Sequence, residues 1–93
     1  MASQPSAFDA FVGKNIFIRT VTMALTGRLV AVYDQELLLE DAAWIADTGR
    51  SANAVASGDF SEIEPYPNGK LVPVGRGAII DAVLIDTLPR MQK

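Results

Sequence analysis

The sequence predicts a mainly β domain opened by one short helix. Three observations lead there. β-Branched residues crowd into separate short stretches, Gly, Pro, Asn and Asp collect between those stretches, and the one capped helical pattern is confined to residues 6–13. At 93 residues the chain makes one domain, and one with a thin core, because a chain this short buries a modest share of its surface.

Taken in order, Met1–Ser6 is polar, contains Pro5 and reads as a fraying head. Ser6 is placed to N-cap a helix of about two turns, with Phe8, Phe11 and Val12 at i, i+3 and i+4 on one face. Gly13 ends it by permitting a left-handed conformation. Asn15–Met23, with Ile16, Ile18, Thr20, Val21 and Thr22, reads as a first strand. Leu25–Tyr33 follows as a second, with Gly27 marking a bulge or bend. Asp34-Gln35-Glu36 is a tight polar turn. Leu37–Ala46 suits a strand covered on both faces, although its Leu, Glu and Ala content suits a helix equally well.

Residues 47–70 form a variable, loop-like segment, or an extra hairpin or packed excursion anchored by Phe60, Ile63 and Tyr66. Tyr66-Pro67-Asn68-Gly69 closes it with a turn that has Pro in second place. Val72-Pro73-Val74 reads as a short edge strand, since Pro73 has no N–H. Gly75-Arg76-Gly77 is a flexible basic turn, Ala78–Ile85 is the last strand, and Leu88-Pro89 stops regular structure. The domain is expected over 7–88, with 89–93 as a tail.

Composition excludes several kinds of chemistry. The chain has no Cys and no His, so disulfide scaffolds, thiolate zinc sites and His-based acid–base catalysis are disfavoured. No Asp-x-Asp-x-Asp-Gly loop appears, Glu40 and Asp41 are expected on opposite strand faces, and Gly75-Arg76-Gly77 lacks the Lys-Ser/Thr of a phosphate loop. The expectation is a non-enzyme without a cofactor. No basic-plus-apolar leader opens the chain, and stretches such as Ala82–Ile85 are too short to span a bilayer, so a soluble, cytoplasmic protein without a membrane partner is expected.

Two blocks carry a resemblance. The first is Gly27-Arg28-Leu29-Val30-Ala31-Val32-Tyr33-Asp34 followed by Leu37-Leu38-Leu39-Glu40-Asp41-Ala42, and the second is Arg76-Gly77-Ala78-Ile79-Ile80-Asp81-Ala82-Val83. In order and spacing they resemble the two motifs of the Sm/Sm-like (LSm, Hfq-type) family, over roughly residues 7–46 and 71–86. The resemblance implies a short helix capping a five-stranded, strongly bent antiparallel sheet, a small SH3-like barrel, and decides Leu37–Ala46 as a strand. It also implies assembly into a homo-oligomeric ring, the fourth strand of one subunit pairing with the fifth of the next, which places Val72, Val74, Ile79 and Val83 at the interface.

The same resemblance implies single-stranded, uridine-rich RNA as a ligand at the ring pore. Carried over by position, Asp34, Arg76 and Gly77 match the family's pocket. The pocket Asn does not carry over: Glu36 stands in its place, in a turn about two residues shorter, and an ionised carboxylate cannot donate to uracil and repels phosphate. The implied pocket is therefore divergent and weakened. Read as residues alone, Asp34 and Glu36 are ordinary turn residues, Arg76 a solubilising turn charge, and Trp44, Phe17 and Tyr33 core or subunit-interface packing.

Charge is the other restraint. The formal net charge is −3, made of −2 over residues 1–46, −2 over 47–70 and +1 over 71–93, so only the Arg-Gly end is basic. The alternative is a ring-forming structural or protein-interaction module without RNA affinity, with the acidic segment 47–70 as the surface for a protein partner.

Overall fold

The computed structural model describes residues 6–47 and 62–92. It is mainly β, with antiparallel strands β1 (Asn15–Thr20), β2 (Ala24–Val32), β3 (Glu36–Asp47), β4 (Glu62–Pro65), β5 (Leu71–Gly75) and β6 (Ile79–Leu84) in one open sheet. The strand order is β4-β3-β2-β1-β6, and β5 also pairs with β3. Two 3₁₀ turns, η1 (Ala7–Phe11) and η2 (Arg76–Ala78), complete the described elements.

The expected α-helix is a five-residue 3₁₀ turn. Its cap is the predicted one: the Ser6 side chain accepts from the Phe8 N–H at 3.1 Å, and the Ser6 N–H donates to the Asp9 carboxylate at 3.1 Å. The tighter winding has a packing reason. In a 3₁₀ turn i and i+3 eclipse, so Phe8 and Phe11 fall side by side against the core, while Val12, extended at φ −60° and ψ 131°, stays exposed. Gly13 turns the chain at φ +84°, and its N–H donates to the Leu29 carbonyl at 2.7 Å.

β1 stops at Thr20 rather than Met23, because Thr20 closes a turn on Met23. The Thr20 N–H and hydroxyl both donate to the Met23 carbonyl, at 2.7 and 2.9 Å. Within β1, Ile16 and Ile18 join one buried cluster and Phe17 the other, as alternation to opposite faces demands. The first cluster is Phe17, Ala24, Ala43, Ile45, Ile63 and Ile85, with Leu88 against it. The second is Ile16, Ile18, Leu29, Leu37, Leu39 and Ala42, onto which η1 packs Phe8 and Phe11. In the Leu37–Leu39 run, Leu37 and Leu39 both enter the second cluster, and Leu38 is half-buried outside either cluster.

The sheet bends at a bulge. Thr26 pairs with Ala43 and Arg28 with Glu40, so Gly27 faces two residues, Asp41 and Ala42. Asp41 takes up the slack at φ 53°. This overturns the expectation that Glu40 and Asp41 point apart: Arg28 donates to both carboxylates, to Glu40 and, at 3.0 Å, to Asp41.

Among the described residues the five-strand count is corrected to six. Glu62–Pro65 is a strand paired with β3, Ile45 opposite Ile63 and Trp44 opposite Glu64, so 47–70 holds the extra hairpin arm. Ile63, 4% exposed, is its anchor. Phe60 lies outside the described residues. The following turn is one residue later than expected: the Lys70 N–H donates to the Pro67 carbonyl at 3.3 Å, since Gly69, at φ +80°, must occupy the third position. Pro73 sits on β5, which among the described residues pairs only with β3, and its register partner there is Leu38.

Candidate functional site

The β2–β3 turn and η2 meet at one end of the molecule. Glu36 and Gly75 are register partners, and the Arg76 N–H donates to the Gln35 carbonyl at 2.9 Å. The connection between the strands is Tyr33-Asp34-Gln35, closed by the Tyr33 N–H on the Glu36 carbonyl at 2.9 Å. Asp34, Glu36, Arg76 and Gly77 are thereby brought together, which their separation in sequence alone could not do.

Each plays a different part there. Asp34 and Gly77 are exposed, while Glu36 and Arg76 are half-buried. The Arg76 guanidinium is far from a loose surface charge. Its Nη1 donates to the Tyr33 carbonyl at 2.8 Å, its Nη2 to the Ser6 Oγ at 3.4 Å, and its Cζ lies 5.5 Å from the centre of the Phe8 ring. Arg76 therefore clamps the capped end of η1 to the β2–β3 turn, partly by a cation–π contact. Gly77 is not required for space, since a Cβ there would meet nothing within 4 Å. Tyr33, beside Asp34, is 52% exposed, so it is neither core nor a spent side chain.

The four residues assigned to an interface divide. Val72, Val74 and Ile79 are half-buried and pack onto the chain's own second cluster, whereas Val83 is 44% exposed. On β5 the outward residues are the alternate ones, Leu71, Pro73 and Gly75; on β6 Ile80 and Leu84 are exposed with Val83. Within the described residues β5 pairs only with β3 and β6 only with β1, so both offer an unpaired edge.

Four contacts were not anticipated. Trp44, expected in core or subunit-interface packing, is not in the core: it is 42% exposed in the single chain and meets Tyr66. Arg90, in the expected tail, donates to the carbonyls of Ala42 and Tyr66 at 2.7 and 2.6 Å and also reaches the Asn68 side chain. The Arg28–Glu40–Asp41 cluster adds the Gly69 N–H, 3.3 Å from Asp41. That N–H first, and Arg28 next, hold the Asp41 carboxyl below its ordinary range. Across β1 and β6, Arg19 pairs with Asp81 and lowers the Asp81 carboxyl likewise.

Among the described residues no group of three or more His, Cys, Asp or Glu is arranged to hold a metal ion. None of their helices is long and apolar enough to cross a membrane. No protein-family model matches the chain, and no curated protein matches it.

Proposed function

We propose that the chain is an Sm-like, ring-forming subunit that binds single-stranded RNA at the joined β2–β3 and η2 turns. The observation that carries the reading is the docking of Arg76 onto that turn, through Gln35 and Tyr33. It sets Arg76 beside the β2–β3 turn, where the Tyr33 ring is exposed next to Asp34. A base needs a π-face to stack on, and the exposed Tyr33 ring supplies one. Selectivity for uracil is reduced, because Glu36 cannot donate as an Asn would. Few cations surround the site, so binding should depend weakly on salt.

Assembly is supported by the two edges. A thin core with unpaired strands is stabilised when a neighbour's edge covers them, and a repeated head-to-tail contact of that kind closes into a ring. β5 against a neighbour's β6 would also cover Leu71, Ile80, Val83 and Leu84, all exposed in the single chain.

A second reading, a ring-forming protein-interaction module, is favoured by one observation. The Arg76 guanidinium is already engaged by Tyr33, Ser6 and Phe8. Titration of labelled oligo-U and oligo-A at low and moderate salt separates the two. RNA binding that falls at least several-fold in Tyr33→Ala supports the first, and no binding to either oligomer at low salt hands the site to the second. Light scattering after gel filtration tests assembly. A multiple of the 10.0 kDa chain mass, reduced by Val83→Lys, is expected; a monomer at micromolar concentration overturns it.

A further inference from the structure

The arginines of the described residues are held in different ways. Arg19 is paired with Asp81, and Arg28 with Glu40 and Asp41. Arg90 sits on the carbonyls of Ala42 and Tyr66, at 2.7 and 2.6 Å. Among the described residues Arg76 has no carboxylate partner; its charge rests on the Tyr33 carbonyl, the Ser6 hydroxyl and the Phe8 ring. These three contacts are unequal. The Tyr33 bond, at 2.8 Å, is well formed, whereas the Ser6 bond, at 3.4 Å, lies beyond the usual range. A ring attracts a cation only weakly where water reaches the pair.

The two ends of η1 are also held unequally. At the far end the Lys14 N–H donates to the Phe11 carbonyl at 2.9 Å, the Gly13 N–H to the Leu29 carbonyl at 2.7 Å, and the Leu29 N–H to the Lys14 carbonyl at 3.0 Å. At the near end the bonds stay within the turn: the Ser6 N–H donates to the Asp9 carboxylate, and the Asp9 N–H to the Ser6 carbonyl. No residue of η1 is fully buried. Among the described residues, what joins the Ser6–Phe8 end to the sheet is the half-buried Phe8 ring and the Arg76 guanidinium. A turn this short does not keep its shape away from such support, because it fixes more dihedral freedom than its few bonds offset.

We propose that the Ser6–Phe8 end of η1 is an autoinhibitory latch over Arg76, displaced by a phosphate of single-stranded RNA. The latch rests on the RNA reading above and adds what controls access to that site. A phosphate oxygen bonds a guanidinium with the help of charge, about twice as strongly as a neutral acceptor does, and the fork takes two such oxygens at once. The hydroxyl at 3.4 Å is the partner it replaces, while the Tyr33 carbonyl keeps Arg76 beside the turn. Binding is then weakened in proportion to the fraction of molecules whose latch is closed. The contacts of Arg76 with Ser6 and Phe8 are the closed state of the site.

The test titrates labelled oligo-U and oligo-A with the native full chain and with two variants, each first shown by thermal unfolding to be folded. Ser6→Ala removes the hydroxyl contact and the cap. Phe8→Leu keeps apolar packing and removes the π-face. Both variants should bind about two- to fivefold tighter than the native chain, the size of a lost exposed cation–π contact. The gain should be equal for the two oligomers, since a phosphate carries no base identity. Arg76→Gln added to Phe8→Leu should erase it. In the native chain, saturation with oligo-U should carry the nuclear magnetic resonance shifts of Ala7–Asp9 toward random-coil values. Equal or weaker binding by both variants, with binding by the native chain, overturns the latch and leaves the RNA reading standing. So do Ala7–Asp9 shifts that keep their folded values in the saturated complex, or a gain confined to oligo-U. Absence of binding by the native chain and by both variants removes the RNA reading and the latch with it.

Discussion

Gly27 lies against Leu39 so closely that a Cβ added to the glycine would stand 3.1 Å from the Leu39 Cβ and 3.2 Å from its Cδ1. Leu39 is fully buried, and its Cβ is fixed by the β3 backbone, so it cannot swing aside. Gly27→Ala would gain about 0.4–1 kcal/mol from a stiffer unfolded chain but lose about 1–3 kcal/mol to overpacking. Net destabilisation of about 1 kcal/mol is expected in urea unfolding, and more for Gly27→Val. An unchanged midpoint would show that the bend has room to spare.

Thr26 is the complementary case. It is fully buried between Phe17 and Ala43 in register, and its hydroxyl oxygen has no hydrogen-bond partner. An unsatisfied buried hydroxyl costs about 1–3 kcal/mol, so Thr26→Val, which keeps the shape, should stabilise the fold by about 1 kcal/mol. The urea midpoint should rise at constant slope. A fall would mean that the hydroxyl is satisfied in solution.

Stability should decline in acid through two carboxylates. The hydrogen bond from Arg19 lowers Asp81, and the Gly69 N–H and Arg28 lower Asp41. A carboxyl lowered in the folded state stabilises it once ionised. That contribution is complete above about pH 5 and is lost as pH falls through the folded value, below the ordinary range near 4. The denaturation midpoint should therefore be level from pH 7 to about pH 5 and drop below about pH 4. In the Asp41→Asn, Asp81→Asn double variant the drop should be shallower. An equally steep drop in that variant would assign acid sensitivity to other carboxyls.

Arg76 acts through geometry that lysine cannot reproduce. Its guanidinium reaches two oxygens and an aromatic face at once. Arg76→Lys keeps the charge but not the fork, so both Arg76→Lys and Arg76→Ala should lose stability, by about 1 kcal/mol or more. Nuclear magnetic resonance shifts of Ala7–Phe11 should move in both variants. If Arg76→Lys behaves as the native chain, the clamp is only a charge effect.

Leu37–Ala46 suited helix or strand and was decided only by the resemblance, whereas β1 was legible from the β-branched residues that follow Asn15, and so were the Ser6 cap and the Gly27 bend. β4 was not, because Glu62-Ile63-Glu64-Pro65 shows a single apolar residue between two acids, and its partner lies across a long excursion. The Sm-type motifs pointed to Asp34, Glu36, Arg76 and Gly77, and the folded chain does gather those turns. What Arg76 touches could not be read in advance, since Ser6 and Phe8 are 70 and 68 positions away in sequence. The left-handed Asp41, which carries both acids to Arg28, is a consequence of tertiary register and has no local signature.

β1 forms one of its two ladders with β6, pairing Ile16 with Leu84 and Ile18 with Ala82. The first of the described strands thus waits for the last of them before its ladder is filled. During synthesis the β1–β2–β3 meander carries an open flank next to Phe17 and Ile18, and closing it demands contacts more than sixty residues apart. Folding should accordingly be slow for the chain's size. In a crowded cell, a β6 supplied by another nascent copy could fill that flank first, which makes strand exchange the characteristic misassembly of this architecture.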